Sequence, residues 1–422
     1  MGFNPVVAKK IGITLIYLAL YYFVELLDCI WAVLSGKYKT RKQLLDSQTD
    51  VCEIRNILYR YKCFKSDHAR VEDFVTWHQR FTNLEELLSP RWSLYCMTKE
   101  WVYFIYGPKT IRDYGKVPFI MFEQFDDAWM VGRISMKQYL DRFSPLLPEP
   151  TCNVVFMTNC PRAGTTLIAR MLQNVDKVLA LSEPEIFTYL GMLKLDGGVS
   201  SQHISDLILS TLKHLCRHVD VDETCVLKAK CNSTAIIPEV VQAFPRVKLA
   251  FIHRVTMSAV LRSLEKLVEV EKIGTIMARV PSPEVPFFGL WIRFDREAWA
   301  AMPEAGDSLD AAFLHYVMPY SRFLNLKAGG FQMFELVYEN LVKDPQRVME
   351  DFFRFAEIPG GVDSALAQMS HDSQKGSIYD KERMEKVATS DLTNDKKKLY
   401  NTVCQRLNVP PIFIDATDKY DH

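Results

Sequence analysis

The sequence has no excess of charge of either sign and no metal-binding cysteine pattern. Its 51 Lys and Arg residues balance 51 Asp and Glu residues, so the formal net charge is +0, and nothing in it indicates a nucleic-acid partner. The ten cysteines include no C-x-x-C pair and show no pairing with histidines in a zinc-site pattern, so we predict no metal site. A neutral net charge still allows a local basic pocket. One or two disulfides can form among the cysteines if the chain faces a secretory lumen.

Internal repeats and low-complexity tracts are also missing, which excludes solenoids and disordered linkers as the main architecture. The 422 residues suffice for one large domain or two ordinary ones, and the 48% hydrophobic and 24% charged contents are those of a globular chain. The sequence therefore predicts a folded protein with a substantial core.

One stretch, residues 154–167 (V-V-F-M-T-N-C-P-R-A-G-T-T-L), predicts a buried strand, a tight turn and the start of a helix. Pro161 and Gly164 break the apolar run, and Thr165 and Thr166 stand where a helix begins. Such a turn directs free backbone N–H groups and the positive helix end at one point, which suits a phosphate. The alternative is a strand-turn-helix without a ligand.

The stretch lacks the lysine of an ATPase phosphate loop, because Asn159 stands at its first glycine position and Thr165 at its lysine position. Instead, residues 161–167 resemble the 5′-phosphosulfate-binding loop of sulfotransferases, most closely that of the tyrosylprotein and Golgi carbohydrate branches. The resemblance implies that the donor is contacted by this loop, whose residues are Pro161, Arg162, Ala163, Gly164, Thr165 and Thr166.

This resemblance covers residues 150 to about 360 and implies an α/β fold with a P-loop-like three-layer core around a central parallel sheet. It also implies 3′-phosphoadenosine 5′-phosphosulfate as co-substrate and an acceptor that bears a hydroxyl group. No metal is expected to take part, since Arg and Lys side chains supply the positive charge. Residues 337–345 (V-Y-E-N-L-V-K-D-P) resemble the segment after the last core strand of many sulfotransferases, a marker of the fold rather than of catalysis.

A predicted strand after the first helix ends in two carboxylates, Glu183 and Glu185. In a parallel sheet this end lies on the same edge as the phosphate loop. The resemblance implies that Glu183 is the general base that takes the acceptor proton, with Glu185 as the second candidate; alternatively, Glu185 only completes a helix capping box with Ser182. The next predicted strand, residues 225–230, ends in two lysines. Lys228 is a partial match to a family lysine that stabilises charge on the transferring group.

A second segment, residues 244–263, resembles the part of sulfotransferases that binds the donor 3′-phosphate. Arg254 and Ser263 match the family arginine and serine, although the spacing is one residue longer than usual, so that Ser258 and Arg262 compete for the serine role. A planar guanidinium is suited to holding a phosphate. Late in the chain, Lys375 and Gly376 stand in a loop that either closes over the nucleotide or is an ordinary turn.

The N-terminal region contains an apolar stretch, residues 11–34, which is long enough to span a bilayer. We predict a membrane anchor in residues 1–36, a helical segment in 37–150 and the sulfotransferase-like domain in 151–422. Glu25 and Asp28 are costly within a bilayer and are expected near its interface; an amphipathic helix lying on a membrane or on the protein core is the alternative. A single-pass protein facing the Golgi lumen is favoured, although the basic residues after the stretch favour a cytosolic domain.

Two other functions fit parts of this pattern. A nucleotide-dependent phosphotransferase on a related loop requires the lysine that the loop lacks. A catalytically silent, nucleotide-binding membrane protein requires only that the fold is kept. The sulfotransferase interpretation accounts for more of the motifs.

Overall fold

The computed structural model describes residues 5–45, 49–270, 296–303, 305, 307–371, 373, 381–387, 389 and 392–412. Lys375 and Gly376, predicted to close over the nucleotide, lie outside the described residues. The described chain contains two five-stranded sheets, one antiparallel and one parallel.

The C-terminal part is built on the parallel sheet that the sequence predicted. Neighbouring residues of one strand point to opposite faces, and Val154 and Phe156 enter one apolar core while Val155 and Met157 enter another. Helices cover both faces, which confirms a layered α/β core. The strand order is β10-β9-β6-β8-β7, with β6 Asn153–Asn159, β7 Val178–Ser182, β8 Thr224–Lys228, β9 Lys248–His253 and β10 Met333–Val337.

The N-terminal part was predicted to be helical over residues 37–150, and this prediction is wrong. The region is dominated by an antiparallel sheet in the order β2-β1-β5-β4-β3. The aromatic residues between positions 74 and 106 belong to strands, where they pack well on a pleated surface. Residues 92–97 and 101–106 form a hairpin. The strands are β1 Val51–Arg60, β2 Phe74–Asn83, β3 Trp92–Met97, β4 Trp101–Tyr106 and β5 Met130–Ser135.

The helices of the described residues, numbered along the chain, connect and cover the two sheets. They are α1 Pro5–Leu34, α2 Tyr38–Gln43, α3 Ile111–Tyr114, α4 Ile120–Asp127, α5 Met136–Gln138, α6 Ser144–Leu146, α7 Thr165–Gln173, α8 Glu185–Asp196, α9 Ser201–Cys216, α10 Ile237–Ala243, α11 Met257–Val270, α12 Arg296–Ala301, α13 Ser308–Ala328, α14 Tyr338–Lys343, α15 Pro345–Ala356, α16 Val362–Leu366, α17 Lys381–Glu385 and α18 Asn394–Arg406. One continuous apolar core joins the antiparallel sheet to one face of the parallel sheet.

Helix α1 is the predicted apolar helix. Its segment Lys9–Leu34 is long and apolar enough to cross a membrane, but the core helix of a soluble protein or a signal sequence would meet the same criteria of length and composition. The structure packs one side of this helix against the antiparallel sheet. Asp28, expected at a membrane interface, is instead fully buried and forms ion pairs with Arg41 and Arg55.

Candidate functional site

The loop between β6 and α7 and the start of α11 meet at the carboxyl edge of the parallel sheet. Arg162 has a left-handed backbone (φ 61°), and its Nε donates a hydrogen bond of 2.7 Å to Ser263 Oγ. These residues are 101 positions apart and were predicted from separate motifs. Of the three candidates for the serine role, Ser263 is the one that contacts the loop here, whereas Ser258 and Arg262 are exposed.

The remaining loop residues form the turn and the first turn of α7. Pro161 is half-buried and Ala163 is fully buried. Thr165 and Thr166 are buried at the start of α7. Because the first N–H groups of a helix have no intrahelical acceptor, this end is suited to an anion.

Gly164 fits the loop to Tyr338, the first residue of α14. Its φ is +81°, and a Cβ added here would lie 2.3 Å from Tyr338 Cδ2. Only glycine satisfies both the left-handed backbone and this close approach. The Arg254 guanidinium carbon lies 3.7 Å from the centroid of the Tyr338 ring, which is a cation–π contact. Tyr338 therefore connects the loop to the second predicted phosphate residue.

Arg254 has an unused donor. Its Nε is buried and has no hydrogen-bond partner within the described part of the chain. A buried N–H without a partner is unfavourable, and an anionic ligand oxygen would satisfy it. The backbone that carries Arg254 is held by Tyr316, whose hydroxyl donates to the Arg254 carbonyl oxygen.

The Val255-Thr256 pair, which follows Arg254, is held by Glu339 of α14. The backbone N–H groups of Val255 and Thr256 both donate to the Glu339 carboxylate, each at 3.0 Å. Partial burial works to raise the pKa of Glu339, but the two N–H donors outweigh it and keep the pKa below its ordinary value. The segment 337–345, predicted only as a fold marker, thus contributes two residues that support Arg254.

Glu183 and Lys228 form an ion pair beside the loop. Lys228 Nζ donates to Glu183 Oε1, and the Glu183 N–H donates to the Lys228 carbonyl oxygen at 2.7 Å. The Lys228 side chain is only 2% exposed and that of Glu183 16%. Glu183 also has a left-handed backbone (φ 59°), a conformation that is uncommon for a residue with a side chain and clusters at functional sites. The structure therefore joins the two predicted catalytic residues.

Glu185 belongs to a different group. Its carboxylate accepts from Lys230 Nζ at 2.8 Å and from His68 Nδ1 at 2.7 Å. Burial works to raise the pKa of Glu185, but the Lys230 charge and the His68 hydrogen bond outweigh it and lower the pKa to about 2. With two strong partners, this carboxylate is less available as a base than that of Glu183.

His68 is a site residue that the sequence did not reveal. It comes from the loop between β1 and β2 of the antiparallel sheet, far from any motif, and is 5% exposed. Its Nε2 is buried without a hydrogen-bond partner among the described residues. No sequence signal identified it, because only tertiary packing brings the N-terminal sheet to the carboxyl edge of the parallel one.

A cysteine and a histidine complete this buried side of the site. Cys231 Sγ lies 3.6 Å from His315 Nδ1 of α13. Burial, aided by the nearby Lys230 charge, holds the pKa of His315 well below its ordinary value, while burial raises the pKa of Cys231 to about 12. Both groups are therefore neutral near pH 7, which leaves the Glu and Lys side chains as the charged groups here.

Comparisons with known proteins find sulfotransferases among solved structures. The chain is similar to the sulfotransferase domain of the Synechococcus olefin synthase, with 15% identity, 60% of this chain and 94% of that chain covered, and a TM-score of 0.34. It is also similar to sulfotransferase STF1 from Mycobacterium tuberculosis, with 14% identity, 56% of this chain and 76% of that chain covered, and a TM-score of 0.34. For STF9 from Mycobacterium avium the identity is 13%, the coverage 65% of this chain and 84% of that chain, and the TM-score 0.34.

No family model and no curated protein matches the sequence. At identities and TM-scores this low, the likeness assigns neither a donor nor an acceptor to this chain.

Proposed function

We propose that the protein is a sulfotransferase that moves a sulfuryl group from 3′-phosphoadenosine 5′-phosphosulfate to an acceptor hydroxyl. The contact between Arg162 and Ser263 carries the proposal. The two segments resemble the two phosphate-binding parts of one nucleotide-binding site, and they meet in the fold. A strand-turn-helix without a ligand would not need to contact the second segment.

On the donor side, the loop residues 161–166 would hold the 5′-phosphosulfate, and Arg254 and Ser263 the 3′-phosphate. The residues fit an anionic ligand, since Arg254 offers a buried N–H without a partner among the described residues. A guanidinium can hold two phosphate oxygens at once. Tyr338 keeps that guanidinium at a defined distance from the loop.

On the transfer side, Glu183 would accept the proton of the acceptor hydroxyl as the new O–S bond forms and the S–O bond to the phosphate breaks. Lys228 would stabilise the charge that develops on the bridging oxygen of the leaving phosphate. In the free protein the two groups neutralise each other. A bound phosphosulfate would draw the Lys228 charge away from Glu183 and so free its carboxylate to act as base.

The acceptor is a hydroxyl group of a glycan, a tyrosine or a small alcohol. We propose residues 280–330, which begin with a proline-rich stretch, as the acceptor-binding region; residues 280–295 lie outside the described residues. We propose that the protein works at a membrane through residues 11–34, on the lumenal side of the Golgi, as the branch that the loop resembles implies.

Calorimetric titration of the full chain in detergent would test the donor. We expect binding of 3′-phosphoadenosine 5′-phosphate and not of ATP or adenosine 5′-phosphate. The binding should be lost in Arg254→Ala and kept in Arg347→Ala, a matched control because Arg347 is exposed on α15. Preference for ATP with Mg²⁺, or no nucleotide binding, would refute the proposal. Binding without turnover on any acceptor would favour the catalytically silent alternative.

A further inference from the structure

We infer that α1 lies along the surface of a lipid bilayer, with its outer face in the acyl region and its inner face on the protein, and does not cross the membrane. The inference rests on the membrane association proposed above and revises the single span that the sequence favoured. It does not depend on the donor chemistry.

The inner face of α1 contacts the antiparallel sheet over most of the helix. Thr14 Oγ1 is 3.2 Å from Tyr61 OH, and Tyr17 OH donates to the Glu72 carbonyl oxygen at 2.6 Å. Near the other end, the rings of Trp31 and Trp77 are 6.1 Å apart. Residues 14 to 31 correspond to about 26 Å of helix at 1.5 Å per residue, close to the thickness of a bilayer hydrocarbon core, about 30 Å.

These contacts conflict with a span. A helix that crossed the bilayer and kept them would take strands β1 and β2 into the hydrocarbon. Those strands include the charged Glu53 and Arg55, and the other face of the sheet continues into the domain core. A sheet with charged residues and unpaired edges is not tolerated in lipid.

Detaching the helix is also unfavourable, because Asp28 is held by three donors. Its carboxylate accepts from Arg41 Nη2 at 2.8 Å, Arg55 Nη1 at 2.8 Å and the His78 N–H at 3.2 Å. Glu25 forms a further ion pair with Arg55. If the helix left the sheet, Arg41 and Arg55 would keep only Glu53 as an acidic partner, while two carboxylates entered the bilayer.

From Ile13 to Leu34, the outer face of α1 carries no charge. The only charged residues between positions 13 and 34 are Glu25 and Asp28, and both pair with residues of the sheet. At 100° per residue the exposed large apolar side chains cover an arc of about 180°. They are Ile13, Leu15, Ile16, Leu20, Tyr22, Phe23, Leu26, Leu27, Ile30, Val33 and Leu34. An exposed apolar surface of this extent marks an interaction site.

The flanking charges identify a lipid surface as the occupant. Lys9 before the face and Lys39 and Lys42 after it are exposed, and basic residues beside an apolar helix face are attracted to anionic headgroups. A second copy fits less well, because both ends of the face are basic. Parallel or antiparallel pairing of two such helices would bring like charges together.

The apolar surface continues beyond the helix. Tyr59 of β1 is also exposed, and its ring lies 6.0 Å from that of Tyr17 on α1. Tyrosine is favoured at the boundary between acyl chains and headgroups. This places the end of β1 at the level of the headgroups beside an embedded α1.

Topology can be measured with the full chain in microsomes. The background is Cys29→Ser, which removes the exposed native thiol of α1. In it, Lys9→Cys adds a labelling site before the apolar face, and Lys39→Cys adds one after it. With a membrane-impermeant maleimide, an in-plane helix predicts the same result for both sites: both labelled, or both labelled only after permeabilisation. Labelling of one site alone in intact microsomes would show a span and overturn the inference.

Flotation with vesicles tests the occupant. We expect the full chain to float with phosphatidylcholine vesicles that contain phosphatidylserine, and Ile16→Glu with Phe23→Glu to abolish flotation. The matched control Val221→Glu, an exposed valine outside α1, should float like the parent. No flotation together with a dimer in light scattering would assign the face to a second copy and overturn the inference. Calorimetric titration of the same variants with 3′-phosphoadenosine 5′-phosphate tests the proposed function separately.

Discussion

Replacing Gly164 by alanine is the sharpest test of the donor site, because the chain offers a matched control. Gly164 (φ +81°) and Gly330 (φ +88°) have the same left-handed backbone, but an added Cβ meets Tyr338 Cδ2 at 2.3 Å at position 164 and nothing within 4 Å at position 330. The left-handed conformation costs a residue with a side chain about 1–2 kcal/mol, and this cost is common to both variants.

The difference between the variants is the displacement of Tyr338. Carbon atoms need about 3.5 Å, so the ring in Gly164→Ala must move by at least about 1.2 Å from the 2.3 Å contact. The Arg254 guanidinium, 3.7 Å from the ring centroid, loses its support. If it then loses a charge-assisted hydrogen bond to the donor, worth about 1.5–3 kcal/mol, the Kd rises about 10- to 150-fold.

The assay is calorimetric titration with 3′-phosphoadenosine 5′-phosphate, with thermal unfolding measured on the same samples. Both variants should unfold at a lower temperature than the parent, and only Gly164→Ala should bind the bisphosphate more weakly. Equal affinities of Gly164→Ala and Gly330→Ala would refute the role of the contact between the loop and Tyr338.

Three further predictions concern single groups of the site. Glu183→Gln should keep donor binding and lower turnover by about 10²–10⁴-fold, the range for a lost general base; an unchanged rate in a sulfate-transfer assay would exclude that role. Ser263→Ala should weaken bisphosphate binding while Ser258→Ala leaves it unchanged, and the reverse order would reassign the serine role. The pKa of Glu185 is lowered to about 2 from an ordinary 4.5, so its ion pair with Lys230 stabilises the fold above pH about 4.5 and this stabilisation is lost as the pH falls toward 2. Glu185→Gln should therefore be less stable near neutral pH and lose less stability on acidification, which urea unfolding at several pH values would reveal.

Local sequence patterns were informative for the parallel half of the protein. The continuous apolar run at 154–157 predicted a strand covered on both faces, and the structure has one, because both faces of a parallel sheet are buried. The strands that end near Glu183 and Lys228 were predicted for the same reason. Since parallel strands align their carboxyl ends, the placement of the loop, Glu183 and Lys228 on one edge followed from topology alone.

The helical prediction for residues 37–150 is wrong because aromatic residues are common both in buried helices and in strands, and a dense set of them has no clear period. The sheet is decided by pairing between strands that are distant in sequence. The same long-range packing brings His68 to Glu185, which no local motif indicates, and gives the segment around Tyr338 a role in supporting Arg254.

The sequence by itself determined the strand-turn-helix at residues 154–167, the parallel core and the presence of a long apolar N-terminal helix, since these depend on local propensity and the spacing of apolar residues. Only the tertiary structure decided that Ser263 is the serine that contacts Arg162, that Glu183 pairs with Lys228, and that Glu25 and Asp28 of α1 form ion pairs with the sheet. Each of these depends on side chains far apart in the chain, and the energy of a buried charge is set by the partners that folding brings to it.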